Sequence, residues 1–161
     1  MVVHVIYRIC TGSGEYIGRS SNFPSRVCGH WWAKNKRGHK LRVTRALDSE
    51  STIQVEGVYD CETLKEIALI ERMWMDRVGA TLNVCKKWKY DSEKAHRLEA
   101  KTRREDIVIH EGVANIEEFT KVQEGLRQTL GGEVSRKCPE RAGPNCGPDH
   151  PKPLVGKCPV P

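Results

Sequence analysis

Proline is nearly absent from most of this chain: Pro24 stands alone in the first 138 residues, and Pro139, Pro144, Pro148, Pro151, Pro153, Pro159 and Pro161 all lie beyond them. The tail is therefore a different material from the body, expected to be flexible unless something ties it down. Long apolar runs are missing, and no amphipathic Trp/Lys helix accompanies the basic charge, which argues against a membrane partner. Met1 to Tyr7 lacks the basic-then-apolar layout of a secretory signal and is too short to span a bilayer, so a cytoplasmic protein is expected. Seven cysteines, an odd number without a tight repeating spacing, argue against a disulfide framework and make reduced thiols the default. There is no internal repeat.

At 161 residues the chain could hold one ordinary domain, or a smaller one of roughly 90 residues with an appendage. The proline distribution favours the second: residues 1–90 as one domain, 91–131 as a helical extension or linker, and 132–161 as a Pro/Gly/Cys-rich tail. Charge divides the same way. Residues 1–90 carry 15 Lys/Arg against 9 Asp/Glu, whereas 91–161 carry 12 of each. Acidic residues are absent between Arg19 and Arg45, where Arg19, Arg26, Lys34, Lys36, Arg37, Lys40, Arg42 and Arg45 accumulate. That is the footprint expected for a polyanion such as DNA, although a solvated basic face accounts for the charge equally well.

Val2 to Cys10 is rich in β-branched residues, Thr11-Gly12-Ser13-Gly14 can turn the chain, and Glu15 to Arg19 reads as the returning strand of a hairpin. A loop symmetric about Gly12-Ser13 sets Tyr7 opposite Gly18 and Ile9 opposite Tyr16, so that Tyr7 and Tyr16 become diagonal neighbours on one face. A three-residue loop would separate them. Ser21 or Asn22 can cap a helix with Pro24 in its first turn, running to about Trp32, with Phe23, Arg26 and His30 on one side. A short helix from about Leu41 to Leu47 and a strand from about Thr52 to Tyr59 follow. Asp60 is then read as the cap of a longer helix reaching about Val78. Ser92 to Asp106 suggests a solvated helix, and Asn115 caps another from about Ile116 to Leu130, stopped by Gly131-Gly132.

On the long helix, Leu64, Ile67, Glu71, Trp74 and Val78 follow the periodicity of a buried face. Glu71 is the one charge in that stripe. A buried carboxylate needs a cation, a hydrogen-bond network or a ligand. Arg42 or Arg45 could supply the cation; a metal ion is the sharper reading.

In order, Val5-Ile6-Tyr7, Tyr16-Ile17-Gly18 nine residues on from tyrosine to tyrosine, Arg26, His30, His39 after Gly38, Glu71 in the long helix and Asn83 beyond it resemble the GIY-YIG nuclease family. The resemblance covers about residues 3–85, roughly half the chain. Val5 stands where the family name places glycine, and Arg19 where several relatives have lysine; the two cations meet phosphate with different geometries. The resemblance implies a small α/β domain with a short, mainly antiparallel three-stranded sheet flanked by helices, and a phage homing or nicking type of endonuclease in a bacterial or phage-infected cell. It implies catalytic roles for Tyr7, Tyr16, Arg26, His30 and Glu71. Tyr7 would help activate the attacking water, Tyr16 would position water or phosphate, Arg26 would meet the phosphate oxygens, and Glu71 would hold one Mg²⁺ or Mn²⁺. Arg19 would assist at the phosphate or leaving group, within a DNA-binding set that includes Lys34, Lys36, Arg37, His39, Lys40, Arg42 and Arg45. His30 and His39 can bind phosphate or move protons, and each is as well explained as a surface histidine.

Such domains are commonly fused to a DNA-binding unit, whose place residues 91–161 occupy. Glu117, Glu118 and Glu124 argue against residues 115–130 entering a DNA groove. Cys138, Cys146, His150 and Cys158 are ligand types for zinc, but zinc modules usually bring ligands as close pairs, and a disordered tail with incidental cysteines is the plainer reading. The rival function from another class is a nucleic-acid-binding module of the same fold that does not cut. Oligomeric state is open, a dimer being one route to double-strand cleavage.

Overall fold

Val2–Thr11 (β1) and Gly14–Ser20 (β2) form the hairpin in the symmetric register, Tyr7 opposite Gly18 and Ile9 opposite Tyr16. The chain is described here from a computed structural model covering residues 2–34, 36, 41–84, 89–109 and 112–129. Phe23–Ala33 (α1), Arg42–Ala46 (α2), Thr52–Cys61 (β3), Leu64–Val78 (α3), Ser92–Thr102 (α4), Val113–Asn115 (β4) and Ile116–Thr129 (α5) complete it. All strand pairs are antiparallel, in the order β2-β1-β3-β4. The sheet thus has four strands where three were expected. The fourth is only three residues long and pairs with Thr52 to Gln54.

β1 is central and buried on both faces, which is why it reads as an almost unbroken apolar run. Val5, Tyr7 and Ile9 face a core built with Phe23 and Val27 of α1, Val43 of α2, and Ile116 and Phe119 of α5. Ile6 faces the opposite core, with Ile17, Tyr59, Ile67, Ile70 and Trp74 beneath α3 and Ala95 of α4. The result is helix, sheet, helix in three layers. Of residues 91–131, expected as a helical extension or linker, the described ones contribute two helices and a strand to this body. α4 is not fully solvated: Ala95, Glu99 and Thr102 are buried, and Glu99 takes the guanidinium of Arg77 at 3.0 Å and the Tyr59 hydroxyl at 3.2 Å.

The start of α3 differs from expectation. Asp60 lies within β3, and Thr63 is the cap: its hydroxyl accepts from the Glu66 amide at 3.3 Å while the Glu66 carboxylate accepts from the Thr63 amide at 3.0 Å. This reciprocal capping box satisfies two otherwise unpaired donors. Thr63→Ala is expected to cost about 1 kcal/mol, read as a lower urea midpoint at unchanged m-value. Gly79 ends α3 in the left-handed conformation that glycine adopts without strain. Asn115 caps α5 as expected, its Oδ1 accepting from the amides of Glu117 and Glu118 at 2.9 and 3.2 Å.

Groups outside the strands also bond the sheet, along β2 and along the part of β3 that β4 leaves uncovered. Along β2, the Leu82 amide donates to the Glu15 carbonyl at 3.0 Å, and the Asn83 side chain bonds both the amide and the carbonyl of Ile17 at 2.9 and 2.7 Å. Along β3, past the end of β4, the Arg104 amide donates to the Val58 carbonyl at 2.8 Å. Among the described residues, no helix is long and apolar enough to cross a membrane.

Candidate functional site

The hairpin register and α1 bring the predicted aromatic and basic residues together. Tyr7, on the central strand, is fully buried, and its hydroxyl shares a hydrogen bond of 3.2 Å with Nε2 of His30, the direction of donation being set by the imidazole tautomer. Phe23, at the start of α1, packs on the Tyr7 ring at 5.4 Å between centroids. Tyr16 reaches both partners: its ring lies 6.3 Å from that of Tyr7 and 5.5 Å, edge-on, from His30. Space for this arrangement comes from Gly18, directly across from Tyr7. A Cβ there would stand 2.5 Å from Cζ of Tyr7 and 2.8 Å from Cε1 of Tyr16.

Glu71 approaches from the other side of the sheet. In β2, Ile17 points into the core beneath α3, so Arg19, two residues on, emerges on the same face. Its Nε lies 2.9 Å from Oε2 of Glu71. Arg42 and Arg45, offered by the sequence as partners, lie on α2, which packs in the opposite layer and cannot reach α3. The stripe on α3 holds at Ile67 and Trp74, but Leu64 is 68 % exposed.

These groups meet at an open cleft of about 470 Å³ around the end of β2, lined by His4, Tyr16, Arg19, Ser20, Ser21, Arg26, Leu64 and Glu71. Tyr16 is the phenol that reaches it; Tyr7 and His30 form a buried pair behind. His4 and Leu64 were not anticipated there. His4 lies two residues before Ile6 on the α3-facing side of β1, and that alternation was the available signal.

Burial raises the pKa of both phenols. For Tyr7 the nearby Tyr16 adds to the rise and Arg26 offsets part of it; for Tyr16 the carboxylate of Glu71 adds to the rise, while Arg26 and Tyr7 pull the other way through charge and hydrogen bonding. Neither is a phenolate at neutral pH. Burial also raises Glu71, against the opposing pull of Arg19 and then Arg26. His4 is lowered by burial and by the neighbouring Arg19 charge, which keeps it neutral.

Arg26, Lys36, Arg42 and Arg45 are exposed and form no ion pair with a described carboxylate; Lys34 lies over the Trp31 ring at 3.4 Å. Arg37, His39 and Lys40, the stop at Gly131-Gly132, and Cys138, Cys146, His150 and Cys158 lie outside the described residues.

The chemistry of the donors decides which metal the cleft suits. Glu71 gives one hard oxygen ligand, partly exposed, on an open, wet surface. That matches Mg²⁺ or Mn²⁺, which accept few protein ligands and keep several waters. Among the described residues, no cluster of three or more His, Cys, Asp and Glu exists to form a closed cage. Comparison of the chain with protein-family models, with curated proteins and with solved structures gives no match.

Proposed function

We propose that this protein is a metal-dependent DNA endonuclease of the GIY-YIG type. The observation that carries the reading is the meeting of Tyr16 and Arg19 of β2, Arg26 of α1 and Glu71 of α3, from three separated stretches of chain and both faces of the sheet, around one open cleft. Phosphodiester hydrolysis needs an oriented water, cations for the transition-state charge and a route for the proton. Each need has a candidate here. Arg26, exposed and unengaged by any described carboxylate, offers its planar fork to the phosphate oxygens. Tyr16 orients the attacking water.

Because both phenols keep their protons at neutral pH, neither acts as a standing base. Tyr16 orients the water and, behind it, the Tyr7 hydroxyl and Nε2 of His30, 3.2 Å apart, are the described groups that can pass a proton on from the cleft. In this way Tyr7 assists the attack without touching the substrate. Glu71 would hold the Mg²⁺ or Mn²⁺, whose contribution would be to polarise the phosphate and neutralise developing charge.

One observation favours the non-cutting alternative: Arg19 already satisfies the Glu71 carboxylate, as it would in a purely structural ion pair. Incubation of the full chain with supercoiled plasmid at low salt separates the two readings. Nicking or linearisation that appears with Mg²⁺ or Mn²⁺ and vanishes with EDTA is the expected outcome. Salt-sensitive binding without cleavage, on plasmids of several sequences, would replace the enzyme with a binding module.

A further inference from the structure

Arg19 is held by α3 on two sides, its Nε lying 2.9 Å from Oε2 of Glu71 and its Nη1 donating to the Leu64 carbonyl at 3.2 Å. Strand alternation fixes where the side chain emerges, but not what it must bind. The guanidinium lines the open cleft, and its side chain is 32 % exposed against 18 % for Glu71. Solvent therefore reaches the guanidinium on the side from which a ligand enters, and screening there weakens its hold on the half-buried carboxylate. Arg26 lines the same cleft and has no described carboxylate to leave, so an entering phosphate would meet two guanidinium groups, one already engaged.

A divalent ion on Glu71 would stand within a few ångströms of the Arg19 charge, and like charges that close repel strongly. The two cations compete for one carboxylate. A phosphodiester in the cleft removes the conflict, because it gives the displaced guanidinium a new anion with the geometry it prefers. We propose that Arg19 is an exchangeable counter-ion of Glu71, holding the carboxylate until a divalent ion arrives and then passing to a substrate phosphate, so that metal and DNA bind cooperatively through this side chain. The inference rests on the nuclease reading of the cleft. It makes Arg19 a positioning residue with a measurable role before any bond is cut. Linkage requires the coupling to be reciprocal: DNA tightens the ion as much as the ion tightens DNA.

Binding of Mn²⁺ alone to the full chain, followed through the electron paramagnetic resonance signal of the free ion, tests this without turnover. It is measured for wild type, Arg19→Gln, Arg19→Lys and Glu71→Gln, with and without a short phosphorothioate duplex. The Glu71→Gln protein with the same duplex supplies the correction for ions held by the DNA or elsewhere on the chain. For the Glu71-dependent site, the duplex is expected to tighten Mn²⁺ by about 5- to 100-fold in wild type. Arg19→Gln without DNA is expected to bind Mn²⁺ more tightly than wild type, and the duplex to add less than about twofold. Arg19→Lys, which keeps the charge but loses the fork, should fall between. Arg19→Gln binding Mn²⁺ no more tightly than wild type in the absence of DNA would overturn the exchange while leaving the metal site standing. Wild-type Mn²⁺ binding in Glu71→Gln would remove the metal site itself, and the exchange with it.

Discussion

Glu71→Ala is expected to slow metal-dependent nicking by at least about a hundredfold, while DNA binding survives. Removal of a single preorganised charge from a catalytic site typically costs on the order of a hundred- to a thousandfold. Glu71 is the only carboxylate lining the cleft among the described residues, so no neighbour replaces it. Binding should persist because the cations remain and Arg19 becomes free for phosphate. Full activity in this variant would sink the assignment of the metal to Glu71.

The companion Glu71→Gln separates catalysis from folding. Burial raises the Glu71 pKa in the folded state, so the folded protein holds this proton more tightly than the unfolded chain does. Stability is then lost as pH rises from the unfolded value, about 4.3, through the raised folded one, and the ionised carboxylate is a liability above that window. The neutral amide escapes it. Glu71→Gln is therefore expected to melt no lower than wild type at neutral pH, with any advantage shrinking on acidification. A much lower melting temperature would mean that the Arg19 ion pair outweighs the burial of the charge.

Gly18→Ala is the second large effect, and it acts through shape. The added methyl carbon would lie 2.5 Å from Cζ and 2.6 Å from the hydroxyl of Tyr7, a ring enclosed by Phe23 and the sheet and unable to retreat to solvent. Overpacking of this kind costs about 1–3 kcal/mol or more, and a catalytic group displaced by about 1 Å can lose a hundredfold in rate. The variant should unfold at lower urea and cut at least about a hundredfold more slowly. Gly18→Ala combined with Tyr7→Leu should recover part of the stability, since the clash is with the ring, but none of the cleavage. Additive stability losses in the double variant would show that the two residues do not oppose each other.

Much of the first half of the chain is legible because short-range rules govern it. The Gly12-Ser13 loop fixes the hairpin register, and the register alone makes Tyr7 and Tyr16 neighbours. Pro24 marks the first turn of α1, and the spacing from Phe23 to His30 delivers both side chains to the same pocket. Sequence and structure part where two positions have similar credentials or where distance in sequence matters. Asp60 and Thr63 are both good caps, and the glutamate three residues after Thr63 was the clue that favours it. β4 was missed because three residues show no alternation; only pairing with β3 makes Val113–Asn115 a strand. Arg19 is the partner of Glu71 because the alternation that buries Ile17 sends Arg19 to the same face, a pairing that strand periodicity implies and helix periodicity alone does not.

The Asn83 side chain bonds both main-chain groups of Ile17, and the backbone around Arg104 covers β3 where β4 has ended. An unprotected outer strand is a template onto which another copy of the chain can add. Here β2 carries such a cover, and so does β3 beyond the end of β4, so strand addition along those two stretches is a poor route to self-association. Two copies that cooperated on opposite DNA strands would then meet elsewhere than along those stretches, through other surfaces or on the substrate itself. Mutations that strip the Asn83 cover would then do more than loosen the hairpin: they would expose the very strand that presents Tyr16 and Arg19, and invite aggregation at the cleft.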